Sequence, residues 1–275
     1  MLYLPYYSVN EKPFQDSADP KFFWLGGGQS EAIAILNYGI ETGDGITVLT
    51  GDVGTGKTAL VKFLAGLHNN EFKVAKIDDS DIESADFLYF LADSLNLPSS
   101  FEDKKSFFKY MDEEYSKTKK RMLIILDEAH RSTKSLLSDL DLMANIKRDN
   151  KHLINIVLVG QNSLIELINE PPINNTKQKA PMICHLRSLT KSETNEYIKH
   201  RLKIAGTERK LFSSGAIGKI FQYTGGIPRV INTICDHALM IGFSTDLKVI
   251  RSSVIRECAE DLLIEPSSIT YRATL

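Results

Sequence analysis

Short apolar runs alternate with amphipathic stretches through the middle of the chain. Runs with strand character lie at 46–50, 73–77, 122–126, 153–159 and 182–186, and the stretches between them have helical periodicity. This alternation is typical of a parallel sheet covered by helices on both faces. After Thr190 only helical stretches remain, at 191–205, 213–223, 228–242 and 250–263. We therefore predict an α/β domain at 46–189, a small all-helical lid domain at 190–265 and a flexible tail at 266–275.

The first 45 residues differ from the rest because they are rich in aromatic residues and proline. Repeated prolines exclude a long helix at the start of this segment. A helix is predicted from Glu31 to Thr42, with Ser30 as its N-cap and the glycines at 43 and 45 at its end. We expect the whole segment 1–45 to pack on the core of the α/β domain.

One stretch, Gly51–Thr58, matches the phosphate-binding pattern G-x-x-x-x-G-K-[ST] at every fixed position. Its glycines permit positive φ angles, so backbone amides can approach phosphate oxygens, and the following helix N-terminus adds partial positive charge. Lys57 is predicted to contact the β- and γ-phosphates of ATP, and Thr58 to bind Mg²⁺. The predicted nucleotide-binding residues of this P-loop are Gly51, Asp52, Val53, Gly54, Thr55, Gly56, Lys57, Thr58 and Ala59.

The apolar run 122–126 ends in two carboxylates, Asp127 and Glu128. Such a strand is typical of a Walker B element when a P-loop precedes it. Asp127 is predicted to hold Mg²⁺, mostly through water, and Glu128 to polarise the water that attacks the γ-phosphate. Alternatively, the two carboxylates only form a turn. Ala129 and His130 complete a DEAH tetrapeptide.

Two further positions are candidate sensors of the nucleotide. Gln161 or Asn162 follows the run 153–159, and ligands of open α/β sheets lie at the carboxyl ends of the strands; either side chain could instead cap the next helix. In the string Gly225-Gly226-Ile227-Pro228-Arg229, proline occupies the first turn of a predicted helix. After a P-loop and a helical lid, Arg229 looks like the second sensor of an AAA+ ATPase, and the alternative is a surface arginine.

The composition, 43% hydrophobic and 25% charged, is that of a soluble globular protein. The sequence has neither an apolar run of about 18 residues nor a basic start followed by an apolar segment. We therefore expect a cytoplasmic protein. Cys184, Cys235 and Cys258 are widely spaced, which argues against a zinc site or a disulfide framework and favours core positions.

Charge is unevenly distributed along the chain, although the net charge is only −2. Residues 1–114 hold 9 Lys and Arg against 19 Asp and Glu, residues 115–210 hold 18 against 10, and the remainder holds 6 against 6. Such a subunit could stack head to tail in a ring or filament, or bind nucleic acid through its basic middle. Candidate phosphate contacts lie at Lys117–Arg121 and Lys147–Lys151. Ordinary solvated surfaces are the alternative.

Several short strings, spread over nearly the whole chain, match one known family: Lys12–Phe14, Asp19–Phe22, Glu31-Ala32, Tyr38–Ile40, Val48–Thr58, Leu126–His130, Ile156–Gln161, His185–Leu189, Tyr197–Leu202 and Gly226–Asn232. In these strings the chain resembles the AAA+ ATPases of the general secretion pathway protein A type (ExeA and MshM-like), which are relatives of the transposition ATPases TniB, TnsC and MuB. The resemblance implies a P-loop AAA+ fold, hydrolysis of Mg-ATP and assembly into a homo-oligomer.

Three departures from the family pattern change the expectations. The family often continues into a membrane-spanning helix and a peptidoglycan-binding domain, whereas this chain ends at Leu275, so a membrane contact is expected only through a partner. Where the family has Gln-Arg-Ile, with an arginine finger, this chain has Gln178-Lys179-Ala180, and lysine cannot make the bidentate contact. Because such a finger raises the turnover rate by a factor of about 10³ to 10⁵, we expect slow hydrolysis unless Arg187 takes the place of the missing arginine. A family histidine is replaced near Gln29.

The resemblance and the charge pattern leave three functions open. The first is an oligomeric ATPase whose ATP-bound state drives or gates assembly of a secretion or pilus complex. The second is a DNA-binding ATPase of the transposition type that forms rings or filaments on duplex DNA. The third is a nucleotide-gated scaffold with little hydrolysis. The expected partners are further copies of the chain, a protein of an envelope or transposition machine and, in the second case, duplex DNA.

Overall fold

A computed structural model describes residues 3–15, 19–43, 45–78, 82–97, 101–148, 151–170 and 181–267. The strands are β1 Ile46–Thr50, β2 Phe72–Ile77, β3 Arg121–Leu126, β4 Lys147–Arg148, β5 Lys151–His152, β6 Ile154–Gly160 and β7 Met182–His185. The helices are α1 Tyr3–Tyr7, α2 Gly27–Thr42, α3 Lys57–His68, α4 Phe87–Ser94, α5 Lys104–Thr118, α6 Lys134–Ala144, α7 Ser163–Asn169, α8 Lys191–Ile204, α9 Ser214–Thr224, α10 Pro228–Ser244 and α11 Ser252–Asp261. Short 3-10 helices cover Pro20–Phe22 and Ala129–Arg131.

Five strands form one parallel sheet in the order β2-β3-β6-β1-β7. Every residue of β1 and β6 is buried, as expected for strands covered on both faces. Side chains of one face, among them Val48, Ile124 and Leu158, share an apolar cluster with residues of α4 to α7. The predicted α/β fold with a parallel sheet and a helical C-terminal region is confirmed. Its central strands β3, β6 and β1 end at the same edge, where the predicted site residues begin.

The chain divides into two compact units, an α/β unit of residues 29–53 and 57–186 and a helical unit of residues 1–28, 54–56 and 187–275. The N-terminal segment 1–28 therefore groups with the helices α8 to α11, whereas the sequence analysis expected it on the α/β core. The reason is its aromatic content, because Tyr3, Tyr7, Phe14 and Phe22 are buried in the same cluster as the apolar residues of those helices.

Arg201 on α8 fixes this N-terminal segment in place. Arg201 is 4% exposed, and its guanidinium donates to the carbonyl oxygens of Pro13 and Gln15 at 2.6 and 3.0 Å. The same group donates to the hydroxyl of Tyr197 at 2.8 Å and lies 4.8 Å from the ring centroid of Phe22. A buried cation is thus satisfied by backbone oxygens of the segment, which explains why these residues join the helical unit.

Three local features differ from the sequence-based expectations. Helix α2 begins at Gly27, so Ser30 lies inside the helix and the prediction that it caps the N-terminus is wrong. The sequence predicts a helix at 133–147, but helix α6 ends at Ala144, because the chain then turns into an antiparallel hairpin of β4 and β5 that was not predicted. These strands are two residues long, too short for an alternating pattern to reveal them. Of the predicted tail at 266–275, residues 268–275 lie outside the described residues.

Gly226 packs against backbone inside the helical unit. Its φ is +77°, and a Cβ added there would lie 1.9 Å from the carbonyl oxygen of Leu189, whose N–H donates to the Gly226 carbonyl at 2.9 Å. We expect Gly226→Ala to lower the free energy of unfolding by roughly 2 to 4 kcal/mol, through positive-φ strain and overpacking. Denaturant unfolding followed by circular dichroism measures this change.

Gly218→Ala is the matched control for this substitution. Gly218 lies in the neighbouring helix α9, and an added Cβ would make only ordinary contacts, at 3.8 Å or more, with Lys191. Alanine in a helix interior is favoured over glycine by up to about 1 kcal/mol, so this variant should be as stable as the wild type or more stable. Equal losses in the two variants would contradict a specific role for the Gly226 contact.

Candidate functional site

The P-loop connects β1 to α3, and Lys57 is the first residue of that helix. Its side chain is only 6% exposed, and Nζ donates to the carbonyl oxygens of Gly51 and Asp52 at 2.8 and 2.9 Å. Gly54 and Gly56 have φ angles of +81° and +100°, as the sequence predicted. The loop therefore curls around the Lys57 ammonium, which places a buried positive charge at the N-terminus of a helix, a favourable environment for phosphate.

Thr58 and Asp127 meet at the end of the sheet. The hydroxyl of Thr58 donates to Oδ2 of Asp127 at 2.7 Å, and Asp127 is 2% exposed. Its other oxygen, Oδ1, accepts from the N–H of Glu128 at 2.9 Å, which holds the carboxylate in one orientation. A hydroxyl and a carboxylate are oxygen ligands of the type that Mg²⁺ prefers in nucleotide sites, so the donor set predicted from the sequence fits this ion.

Glu128 follows β3 in an unusual conformation. Its φ and ψ are +52° and +27°, a left-handed backbone that a residue with a side chain adopts only at a cost, and one that clusters at functional sites. Oε2 of Glu128 lies 3.6 Å from Nδ1 of His130, and the Glu128 side chain is 41% exposed. The turn thus directs a solvent-accessible carboxylate away from the buried strand, next to the imidazole.

His130 connects Glu128 with the end of β6. A Cβ added at Gly160, the last residue of that strand, would lie 3.1 Å from the backbone nitrogen of His130 and 3.2 Å from its Cβ. The imidazole side chain is 12% exposed, and its Nδ1 has no hydrogen-bond partner among the described residues. Because Gly160 has no side chain, His130 packs directly on the end of β6, just before Gln161 and Asn162.

Both sensor candidates follow β6, but their surroundings differ. Asn162 is the N-cap residue of α7, yet its side chain makes no capping hydrogen bond. Instead, Nδ2 donates to Oδ1 of Asp52 in the P-loop at 3.5 Å. The backbone carbonyl of Gln161 accepts from the N–H of Leu164. Asn162 is therefore the residue whose side chain the fold brings to the P-loop, and we prefer it to Gln161 as the sensor candidate.

Arg229 lies in the first turn of α10, next to Pro228, and it contacts the glycine segment of the P-loop that belongs to the same unit. Its backbone N–H donates to the carbonyl of Gly54 at 3.2 Å. A Cβ added at Gly54 would lie 3.0 Å from the Cβ of Arg229 and 3.0 Å from Cγ2 of Ile227. The start of α10 thus packs on the backbone of Gly54 within the helical unit.

Arg187, the substitute considered for the missing arginine finger, makes a bidentate ion pair. Its guanidinium donates to Oε2 and Oε1 of Glu193 at 2.7 and 2.9 Å, and this hydrogen-bonded pair lowers the pKa of Glu193 to about 2. Glu193 also caps α8 by accepting from the N–H of Thr190. Arg187 therefore has a structural role within its own unit. Lys179, the family's arginine position, lies outside the described residues.

Two parts of this arrangement were not predicted from the sequence, the contact of His130 with Gly160 and the contact of Asn162 with Asp52. Both depend on how the ends of neighbouring strands line up, since Gly160 pairs with Thr50 at the end of β1. The DEAH tetrapeptide was a signal for His130, because it marks a histidine two residues after the carboxylate. The three cysteines are buried and free, as predicted.

Comparison with known families gives a match over the part of the chain that holds this site. Residues 40–168 match the family described as AAA domain. This part of the chain is therefore similar to AAA domains. General secretion pathway protein A of Aeromonas hydrophila is 32% identical over 250 residues, which are 88% of this chain and 45% of that protein. The predicted resemblance is thereby confirmed, whereas the relation to the transposition ATPases stays a prediction.

A second relative is an uncharacterised HTH-type transcriptional regulator of Methanocaldococcus jannaschii, 29% identical over 161 residues, which are 56% of this chain and 38% of that protein. The chain thus spans less than half the length of these curated relatives. In the part of the chain that the structure describes, no helix has the length and apolarity needed to cross a membrane.

Solved structures share the fold of this chain. Cdc6p from Pyrobaculum aerophilum has a TM-score of 0.72 at 19% identity, covering 94% of this chain and 73% of that one. The Aeropyrum pernix ORC2 protein, in ADPNP-ADP complexes, has a TM-score of 0.71 at 18% identity with the same coverage. Drosophila ORC bound to DNA has a TM-score of 0.63 at 13% identity, covering 93% and 67%. At these identities the likeness shows the P-loop AAA fold alone.

Proposed function

We propose that this chain is an ATP hydrolase whose ATP-bound, self-assembled state drives or gates assembly of a partner complex of the secretion or pilus type. The proposal is supported chiefly by the 2.7 Å hydrogen bond from the Thr58 hydroxyl to the buried Asp127 carboxylate, which brings the P-loop and the Walker B strand to one point. The similarity to general secretion pathway protein A supports the kind of partner.

Each part of the site then has a task. Mg-ATP supplies the electrophilic γ-phosphoryl group and the charge that the site binds. Lys57 would contact the phosphates through its ammonium, and Thr58 and Asp127 would provide oxygen ligands for the Mg²⁺ ion. Glu128 orients the attacking water and accepts its proton, a role that needs a carboxylate with access to solvent. Asn162 is the proposed nucleotide sensor of the α/β unit, and Arg229 is the proposed sensor of the helical unit.

Steady-state ATP hydrolysis, measured with and without duplex DNA at low salt, tests this proposal. We expect slow magnesium-dependent turnover by the protein alone, because the family's arginine is replaced by Lys179. No hydrolysis and no ATP binding would refute it. Stimulation by DNA of tenfold or more, about 1.4 kcal/mol in the barrier, would favour the DNA-binding function. An unchanged slow rate points to a protein partner as the activator.

One observation favours duplex DNA as a second candidate. Arg148 on the β4-β5 hairpin donates to Oδ1 of Asp112 and Oγ of Ser116 on α5 at 2.6 and 2.9 Å. The hairpin therefore lies beside the end of α5 that carries Lys117, so two basic runs far apart in sequence share one surface. Because Arg148 is neutralised by Asp112, Lys117 and Lys147 are the better candidates for phosphate contacts.

For this second candidate, we expect Lys117→Glu with Lys147→Glu to weaken DNA binding and to lower its salt dependence. Removal of each phosphate interaction reduces the slope of log K against log salt by about 0.9 for duplex DNA. Fluorescence anisotropy over a salt series measures the slope. Lys105→Glu with Lys109→Glu, at the other end of α5, is the matched control with the same change in charge. Equal slopes for both variants would exclude this surface.

The third function, a scaffold that binds ATP and hardly hydrolyses it, rests on the lysine at position 179 and on the engagement of Arg187 by Glu193. It predicts ATP-dependent assembly without measurable turnover. Addition of a true partner would leave the rate unchanged, which separates this scaffold from an ATPase that awaits its activator.

A further inference from the structure

The helical unit contains a groove between α8 and the segment 207–217. The cavity measures about 750 Å³ and has an apolar floor that includes Ile198, Leu202 and Phe212. We call it the basic groove, because five cations line it, Lys191, Lys199, Lys203, Arg209 and Lys210, against one carboxylate, Glu208. An apolar floor with a cationic rim is the pattern of a recognition site for an anionic ligand that also carries apolar groups.

The cations of the basic groove are largely unneutralised. Lys203 lies 3.5 Å from Glu208, but Lys191, Lys199, Arg209 and Lys210 form no ion pair with any described residue. All four are exposed. Like charges gathered around one cavity repel each other, and a ligand with carboxylates or phosphates would relieve that repulsion.

A surface of opposite character lies on the α/β unit. The exposed side of α4 and the turn before it carry Glu83, Asp86 and Asp93 together with Tyr89 and Phe90, which we call the acidic ridge. The two rings are 59% and 37% exposed, and they contact each other edge to face at a centroid distance of 5.6 Å. None of the three carboxylates pairs with a cation among the residues that the structure describes.

We infer that the acidic ridge of one copy of this chain docks into the basic groove of the next copy. Three carboxylates then face four unneutralised cations, and the aromatic pair gains an apolar floor. A nucleic-acid backbone would supply negative charge to the rim of the basic groove, but it has no apolar side chain to cover the apolar floor. Because ridge and groove are different surfaces, the contact is heterologous, and repetition generates a ring or a filament. The inference rests on the proposed self-assembly and identifies the surfaces through which the copies meet.

This contact fixes how neighbouring copies align and makes their association depend on salt, but it supplies little of the buried interface area. Stable interfaces bury about 1,200 to 2,000 Å² in total, whereas two aromatic side chains bury at most roughly 150 to 250 Å² each, so other surfaces must complete the interface. Facing charges at the rim of an interface raise the association rate and are screened by salt. Assembly in ATP should therefore weaken as the salt concentration rises.

Charge reversal on the two surfaces tests the inference. Asp86→Lys with Asp93→Lys reverses the ridge, and Lys199→Glu with Lys210→Glu reverses the groove. Sedimentation velocity in Mg-ATP should show self-association at least tenfold weaker for each variant alone. An equimolar mixture should assemble again, because the reversed ridge meets the reversed groove and the two unchanged surfaces also match. Misfolding cannot produce this recovery.

Matched controls carry the same charge changes elsewhere. Glu257→Lys with Glu260→Lys on α11, and Lys105→Glu with Lys109→Glu on α5, should assemble like the wild type. The inference is wrong if either reversed variant assembles normally, or if the mixture stays dissociated. It is also wrong if the groove variant self-associates normally but loses binding to duplex DNA or to an acidic partner peptide, which would then be the occupant.

The same samples separate this inference from the proposed function. A fluorescent ATP analogue reports nucleotide binding in each of them. A wild-type chain that binds ATP and never self-associates would overturn the ridge-groove contact and leave the nucleotide site standing. A wild-type chain that fails to bind ATP would refute the proposed function itself, whatever its state of assembly.

Discussion

Replacing Glu128 with glutamine is expected to abolish steady-state hydrolysis while ATP stays bound. The amide has nearly the shape of the carboxylate but cannot accept a proton, and loss of a general base costs about 10² to 10⁴ in rate. Glutamine is as compatible as glutamate with the left-handed backbone at φ +52°, so the turn after β3 should persist. We therefore expect turnover to fall at least a hundredfold, with ATP affinity unchanged.

Trapped ATP also makes the assembled state accumulate, if assembly depends on bound ATP as we propose. Phosphate release and sedimentation velocity on the same sample measure the two effects together. Glu166→Gln is the matched control, because Glu166 is an exposed glutamate of the same unit, on α7. Undiminished hydrolysis by Glu128→Gln would remove Glu128 from its assigned role, and loss of ATP binding would show that the substitution disturbs more than proton transfer.

The position of His130 bears on how this glutamate is controlled. Its Nδ1 lies 3.6 Å from Oε2 of Glu128, while its backbone packs against Gly160, one residue before Gln161. His130 therefore contacts both the end of β6, which leads to Asn162, and the carboxylate of Glu128. The fold thus gives a short physical connection between the sensor candidate and the candidate base.

The sequence was informative wherever chemistry requires adjacent residues. Thr58 and Lys57 are neighbours within one loop, and Asp127 ends a strand whose apolar pattern is unambiguous, so the P-loop, the Walker B strand and the parallel sheet could be predicted. The strand order could not be read from that pattern, because every buried strand has the same apolar character. Contacts that cross strands, such as Asn162 with Asp52, follow from that order.

The N-terminal segment shows the same limit in another form. Its aromatic residues indicate that the segment is buried. The surface on which it packs is determined by a residue far away in the sequence. That residue is Arg201, whose guanidinium donates to the carbonyls of Pro13 and Gln15. A buried arginine is rare and has no local signature in the sequence. The grouping of residues 1–28 with the helical unit therefore emerged only from the three-dimensional arrangement.

Replacing Lys57 with alanine is expected to remove nucleotide binding altogether. The ammonium is the buried cation of the P-loop, and hydrogen bonds to charged groups contribute about 1.5 to 3 kcal/mol each. Without its interactions with two phosphates, ATP binding should weaken at least a hundredfold, since each factor of ten corresponds to about 1.4 kcal/mol. A titration with a fluorescent ATP analogue measures the dissociation constant.

The substitution also changes the loop itself, because the carbonyls of Gly51 and Asp52 lose their donor. Circular dichroism of the unliganded variant shows whether the fold survives, which separates a binding defect from a folding defect. Lys62→Ala, on the same helix α3 but beyond the loop, is the matched control and should bind ATP like the wild type. If the Lys57 variant folds and retains its affinity for ATP, the P-loop assignment fails. If it folds and no longer binds ATP, its self-association in ATP must also decrease, because assembly is proposed to depend on bound ATP.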